Sequence, residues 1–449
     1  MINIKADSRK VKPGDIFVAL RGISSDGHEY IDKAISLGAS KLVVMDEGDY
    51  SIPYEVVEDT REYLNNYLKE NYNKYLEEMT IVGFTGTNGK TTSAYLMHDA
   101  LNKMGVKCGY IGTIGYYLGE KVCDLPNTSP DVCDMYDLII NAYDKGFRYM
   151  AIEASSQGLD GGRLEGLVFD YAIFTNLTQD HLDYHKTMEN YAIAKTLLFK
   201  KLKSNGLALL NFDDDYNKYY ISKNTKYYGF NGGDYKINNA EYSNLGTKFM
   251  LNDLEFSSPL LGDYNVYNLA SVIAVLIEEG FDKEKIMDVV KNLSHPAGRM
   301  DLVSYNSNSI LIDYAHTPDA ISKVIDTARK VCENDIYVVF GCTGSRDRTK
   351  RPIMTKLVLE NVKKAIITMD DPHDEDPNDV VKDMLEGNKL DNYEVIINRG
   401  EAIKAGIKLL NKGDILLVLG KGHESVIIMG KERIPFNDKE EVLKIIGEQ

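Results

Sequence analysis

Short apolar runs recur along the chain, each closed by glycine or polar residues and separated by longer amphipathic stretches. Near the start, 15–20 (DIFVAL) reads as a buried strand, 30–37 as a short helix and 41–44 (KLVV) as a second strand. Further runs at 80–82, 149–153 (YMAIE), 171–176 (YAIFTN), 310–313 (ILID), 336–340 (IYVVF), 364–368 (KAIIT) and 415–419 (ILLVL) predict more strands. Strands alternating with helices predict an α/β protein with mostly parallel sheets. A charged helix rich in tyrosine and asparagine, 60–79, reads as a linker. Together with a rule of ~150 residues per domain, the pattern predicts three domains: 1–79, 80–297 and 298–449.

The strand ends carry the chemistry. After Thr80, Ile81 and Val82 comes Gly83-Phe84-Thr85-Gly86-Thr87-Asn88-Gly89-Lys90-Thr91-Thr92, a strand running through a glycine-punctuated turn into a helix. Such a turn cradles phosphates with backbone N–H groups, a lysine supplies charge for the outer phosphates, and a following hydroxyl suits Mg²⁺. The strict P-loop spacing fails, because the position five before Gly89 is Phe84. In open α/β sheets ligands bind beyond the carboxyl ends of the strands. That rule brings Glu153 and the 176–181 segment beside the phosphate loop, with Glu153 and one imidazole of the 180–185 run, His181 or His185, as candidate metal ligands. Loops 313–316, 341–348, 370–377 and 420–424 follow four predicted strands of the last domain and predict one face of a second ligand surface. Arg346, Arg348 and Arg351 lie in or beside it, suited to clamping an anionic group. Asp7-Ser8-Arg9 and Asp26-Gly27-His28 read from physics alone as turn chemistry.

A net charge of −16 argues against nucleic acid or an anionic membrane as the main partner and leaves small anionic ligands open. The N-terminus lacks the pattern of a secretory signal, and no run approaches the length of a membrane span, so a cytoplasmic protein is expected. Five scattered cysteines, without CxxC spacing, indicate neither a disulfide framework nor a zinc site.

In order and spacing, Gly86-Thr87-Asn88-Gly89-Lys90-Thr91-Thr92, Asn127-Thr128-Ser129-Pro130-Asp131, Glu153-Ala154-Ser155-Ser156, Thr175-Asn176-Leu177 with Asp180-His181-Leu182-Asp183, Asp313-Tyr314-Ala315-His316-Thr317-Pro318 and Gly420-Lys421-Gly422-His423-Glu424 resemble the Mur ligases. The resemblance spans the chain and implies a small N-terminal UDP-binding domain, a central P-loop ATPase domain and a Rossmann-like C-terminal domain. It implies an ATP-dependent ligase, a monomer working on small molecules, that adds the third amino acid to UDP-N-acetylmuramoyl-L-alanyl-D-glutamate through an acyl phosphate. By the same resemblance Gly86 to Thr92, Asn265, Asn268, Arg299 and Asp313 would hold ATP. Lys90, Glu153, His181 and Lys195 would be catalytic, and Thr91, Glu153, His181 and a carbamate on Lys195 would face Mg²⁺. Ser8, Asn127, Thr128, Ser129, Ser155 and Arg163 would hold the UDP substrate, although Gln157 stands where the family commonly has histidine and Gly161 where it often has glutamine. Arg346, Asp370, Asp371, His373, Gly420 and Glu424 would hold the amino acid. Members that add diaminopimelate carry Asp-Asn-Pro-Arg where this chain has Asp370-Asp371-Pro372-His373. With acids at 374–376 and Glu424 nearby, L-lysine or L-ornithine is expected. Two alternatives stay open here: a folylpolyglutamate or cyanophycin type of ligase, and a nucleotide-binding scaffold without catalysis, against which intact Lys90, Thr91, Glu153, His181 and Lys195 speak.

Overall fold

The computed structural model describes residues 1–22, 26–243 and 246–447. Three main sheets organise it. The first holds Ile4–Lys5, Ile16–Val18, Lys41–Val44 and Tyr54–Val56 in that order, all parallel. Its two turn clusters do the local work read from sequence: Asp7 accepts from Arg9 N–H at 2.9 Å and Asp26 from His28 N–H at 3.0 Å.

The central sheet has eleven strands among the described residues, and its core runs Leu202–Asn211, Phe169–Phe174, Thr80–Thr85, Tyr149–Glu153, Cys108–Gly112, every neighbour parallel. Apart from the exposed start of Leu202–Asn211, these strands are largely buried on both faces, which is why they read as continuous apolar runs. The helix Lys90–Lys103 covers one face with Ala94, Met97 and Leu101 at helical spacing, all fully buried. Gly105, at φ +81°, ends it in a Schellman turn: its N–H reaches Asn102 O at 3.0 Å and Val106 N–H reaches Leu101 O at 2.9 Å.

The helix Thr60–Glu77 is more than the linker its composition suggests. Asp59 caps it through Arg61 and Glu62 N–H, and Leu64, Leu68 and Leu76 are buried in the central core with Ile81 and Tyr136. A stripe at i, i+4 and i+12 hides among polar neighbours, which is why composition alone missed it.

The third sheet runs Asp301–Tyr305, Asn308–Asp313, Ile415–Leu419, Ile336–Phe340, Lys364–Ile367, Tyr393–Val395, with only the first pair antiparallel. Register pairs Asp313 and Phe340 each with Leu419, and Phe340 with Ile367, so the four loops anticipated from sequence leave one edge together. Among the described residues no helix is long and apolar enough to cross a membrane.

Candidate active site

Register sets the site. Phe84 lies opposite Glu153, and Phe174 opposite Thr85, so the glycine turn, Glu153 and the Asn176 segment leave adjacent strands at one level. Two glycines in the turn are required by space as well as by backbone. A Cβ on Gly86 (φ +149°) would lie 1.9 Å from Thr175 Oγ1, and one on Gly89 (φ +87°) 2.5 Å from Asn268 Oδ1. Gly89 is also the N-cap of the Lys90–Lys103 helix and offers no side-chain cap, leaving its first N–H groups for an anion. Thr87 N–H and Asn88 N–H fix the turn to Asn176, at 2.8 Å to its carbonyl and 2.9 Å to its Oδ1.

A cleft of about 640 Å³ opens over this turn, between the central and C-terminal sheets. Thr87 to Thr92, Asn127, Thr128, Ser155, Arg163, His181, Asn265, Asn268, Arg299 and Asp313 all line it. So do Gln157, which departs from the family pattern, and Tyr264, Tyr267 and His316, to which the sequence assigned no role. The C-terminal domain reaches across the cleft at several points. Asn88 Nδ2 donates to Asp319 Oδ2 at 2.8 Å, Lys350 Nζ lies 3.4 Å from Asp180 Oδ1, and Arg299 Nη2 lies 3.5 Å from Thr91 Oγ1.

Lys90 folds back onto the turn, donating to Gly86 O at 3.0 Å and Thr87 O at 2.9 Å. Burial lowers the pKa of its ammonium. Lys195, on the helix Met188–Phe199, is fully buried and donates to the same Gly86 carbonyl at 2.7 Å. Burial first, and then the charge of Lys90, drive its pKa well below the ordinary lysine range. Glu153 is fully buried: Oε2 accepts from Thr91 Oγ1 at 2.8 Å and Thr113 Oγ1 at 3.1 Å, and Oε1 from Thr113 N–H at 2.8 Å and from the Tyr110 hydroxyl. A carboxylate and a hydroxyl oxygen this close, at the mouth of a phosphate turn, are hard donors that fit Mg²⁺.

The two histidines of the 180–185 segment separate. His181 (φ +53°) faces the cleft, 3.5 Å from Asp180, and desolvation, then the ammoniums of Lys90, Lys195 and Lys350, push its imidazole down to about 4 against the pull of Asp180. His185 turns inward, bonded to Ser156 Oγ at 2.9 Å and stacked on Tyr191.

Not every candidate meets the cleft. Ser129 is fully buried and donates to Glu153 O at 2.9 Å, a brace for the strand end. Ser8 is buried in the N-terminal domain, on a turn whose Lys10 borders a separate cavity of about 210 Å³ with Pro126 and Pro130. That domain is tied down by Lys5 to Asp137 and Lys10 to Asp134, both 2.5 Å.

The amino-acid candidates form their own cluster on the C-terminal sheet edge. Its centre is Lys421, fully buried, 2.8 Å from Asp371 and Glu424 and 3.7 Å from Asp370. Gly420 (φ +113°) has Asp370 Oδ2 where its Cβ would be, at 2.4 Å. Burial pushes the Glu424 carboxyl up to about 7, against the pull of Lys421. Tyr314 joins this cluster to the cleft: its hydroxyl lies 3.2 Å from Glu424 Oε1 and the Arg299 guanidinium sits 4.5 Å over its ring. His373 (φ +51°) is held by its backbone, N–H to Ile428 O at 3.0 Å.

The arginine trio does not act together. Arg351 is fully buried and bonded to Glu375 and Asp383, and Arg348 also binds Glu375, so only Arg346 is exposed and unpaired. Glu375 is thereby neutralised, and Asp376 caps the helix Pro377–Met384, so of the acids at 374–376 only Asp374 stays exposed without such a role. Linear spacing could not show these pairings. Lys421 was visible in its motif but drew no role.

Comparison with known proteins agrees across the chain. Residues 2–83 match the Mur ligase family catalytic domain, 84–276 the Mur ligase middle domain and 298–422 the Mur ligase glutamate ligase domain. A UDP-N-acetylmuramoyl-L-alanyl-D-glutamate–2,6-diaminopimelate ligase of Clostridium acetobutylicum is 38% identical, over 99% of this chain and 95% of its own length. The ligase of the same name from Fusobacterium nucleatum is 39% identical over 97% and 92%. A solved structure of a ligase of that name superposes with a TM-score of 0.70 at 33% identity, covering 100% of this chain and 95% of the other. The chain belongs to the Mur ligase family, the ATP-dependent amide ligases of peptidoglycan synthesis.

Proposed function

We propose that this ligase adds the third amino acid to UDP-N-acetylmuramoyl-L-alanyl-D-glutamate, and that the amino acid carries one carboxylate and a distal ammonium, as L-lysine and L-ornithine do. The relatives' names support the acceptor. They also name diaminopimelate, which has a second carboxylate, and here the arrangement of charges argues for a different amine. One observation carries that choice: Arg348 and Arg351 are committed to Glu375 and Asp383, leaving Arg346 alone for the α-carboxylate. A second buried carboxylate near His373 would lack a partner, which is costly. Meanwhile Asp370, Asp371 and Glu424 share a single lysine, and an arriving ammonium would complete their neutralisation.

The acceptor carboxylate attacks the γ-phosphorus of ATP, ADP leaves, and the amine then displaces phosphate from the acyl phosphate through a tetrahedral intermediate. Phosphoryl transfer asks mainly for positioning and charge neutralisation. Lys90, the open N-terminus of its helix and Arg299 supply positive charge at the phosphates. Asn265 and Asn268 flank the nucleoside, and Asp313 takes the ribose. Thr91, Glu153 and His181 would hold Mg²⁺, which neutralises phosphate oxygens when bound. Ser8, Asn127, Thr128, Ser155 and Arg163 bind the UDP substrate, and Ser129 braces them. Closure of the cleft between the domains would exclude water that could otherwise hydrolyse the acyl phosphate.

Lys195 carries a carbamate in this reading. A buried lysine that donates to a backbone carbonyl rather than a carboxylate is expensive as a cation, and the neutral amine is the form that reacts with CO₂. The proposal extends to a cytoplasmic monomer with domains at 1–79, 80–297 and 298–449. Phosphate release from ATP with the UDP-muramoyl dipeptide, compared across lysine, ornithine, serine and diaminopimelate, tests it. Saturation by diaminopimelate alone would overturn the amino-acid assignment, and no dependence on the dipeptide would overturn the step.

A further inference from the structure

We infer that Tyr110 is a positioning residue for Glu153: its hydroxyl locks one carboxylate oxygen so that the other stays directed at a divalent cation. The inference rests on the reading of Glu153 as a metal ligand.

Tyr110 sits in the Cys108–Gly112 strand, opposite Ala151 of the strand that ends in Glu153. An apolar run hides it, and by pattern it is a core aromatic. Its ring is indeed fully buried, boxed edge-on by Tyr95, His98 and Tyr117 with centroids 6.2, 6.4 and 5.6 Å away. A phenylalanine would fill that box equally well. The hydroxyl is what the box aims, and it donates to Glu153 Oε1.

The two carboxylate oxygens are then treated differently. Oε1 accepts from Tyr110 and from the Thr113 N–H at 2.8 Å, one donor on a caged ring and one on the backbone, so neither can turn away. Oε2 accepts only from the hydroxyls of Thr91 and Thr113, which rotate freely and can present a lone pair instead. One half of the carboxylate is fixed and the other is exchangeable. Gly112 preserves the fixed half, since a Cβ there would lie 2.2 Å from Glu153 Oε1 and 2.4 Å from the Tyr110 hydroxyl oxygen.

Partners that orient a metal-binding carboxylate are commonly worth about 10–100-fold in metal affinity. The test is a titration of the full chain with Mn²⁺, followed by electron paramagnetic resonance in the presence of a non-hydrolysable ATP analogue. Four variants are compared: Tyr110→Phe, Gly112→Ala, Tyr117→Phe and Glu153→Gln. Tyr110→Phe and Gly112→Ala should each weaken Mn²⁺ binding about tenfold or more, while Tyr117→Phe, which alters the same box away from Glu153, should not. The Mg²⁺ concentration for half-maximal turnover should rise in Tyr110→Phe, with kcat recovering at saturating Mg²⁺. Wild-type Mn²⁺ affinity in Tyr110→Phe beside a weakened Glu153→Gln would overturn the role of Tyr110 and leave Glu153 as a ligand. Equal losses in Tyr110→Phe and Tyr117→Phe would assign the effect to packing and overturn the inference too. Wild-type affinity in Glu153→Gln would instead remove the metal reading on which it stands.

Discussion

Lys90 and Lys195 donate to one oxygen, the carbonyl of Gly86, from 3.0 and 2.7 Å. Two ammoniums at one neutral acceptor repel, and both are held below the usual lysine range by burial, Lys195 also by the charge of Lys90. Converting the Lys195 amine into an anionic carbamate would turn that repulsion into attraction. Lys195→Ala should therefore lower kcat by roughly 10²–10³-fold, the scale of losing one preorganised electrostatic group. A short-chain carboxylate added to this variant should restore part of the rate. An unimpaired Lys195→Ala enzyme would dismiss the carbamate.

Gly86→Ala and Gly89→Ala should both lose nucleotide affinity, for separate steric reasons. The new methyl meets Thr175 Oγ1 in one and the Asn268 amide in the other, each on a left-handed backbone. Overpacking of this kind costs about 1–3 kcal/mol. Equilibrium binding of ADP together with a thermal melt checks it; ADP affinity equal to wild type in both variants would contradict the cradle.

Glu424 gives the amino-acid step a pH dependence. With its carboxyl pushed up to about 7, the fraction ionised grows as pH rises through that value. If the ionised form receives the ammonium, KM for the amino acid should fall from pH 6 to pH 8, while KM for ATP changes little. Glu424→Gln should raise the amino-acid KM at least tenfold and flatten the profile. The amino-acid KM measured against pH in both proteins decides the matter.

Arg351 serves the fold rather than the substrate. Arg351→Ala would leave Glu375 and Asp383 to the exposed Arg348 alone and should destabilise the protein by about 1–3 kcal/mol, the range for leaving a partly buried polar group short of a partner. Glu375 is drawn down to about 2, chiefly by its hydrogen bonds to Arg351. A depressed carboxyl stabilises the fold above its ordinary value near 4.5, and that contribution is lost as pH falls toward 2. Denaturation of both proteins at pH 7 and pH 3 should show the gap narrowing in acid.

Strand positions were legible because burial on both faces writes an uninterrupted apolar run: 41–44, 149–153, 336–340 and 415–419 stand where the sequence pattern puts them. Sites at strand ends were legible for the same reason, since a parallel register brings Glu153 beside the phosphate turn. What stayed hidden depends on pairing across the fold. Nothing in the linear sequence says that Arg351 is consumed by Glu375, that His185 turns inward to Ser156, or that Lys421 sits among three carboxylates. Tyr110 was hidden differently, because an aromatic in a buried strand carries no polar signal until its neighbour is known.

The most direct measurement is amino-acid-dependent phosphate release by the wild-type enzyme, with ATP, Mg²⁺ and UDP-N-acetylmuramoyl-L-alanyl-D-glutamate at saturation. Saturable stimulation by L-lysine or L-ornithine, with little from serine or diaminopimelate, is the result predicted here. Stimulation by diaminopimelate alone would contradict it and would send the search for the missing carboxylate partner back to Arg346 and His373.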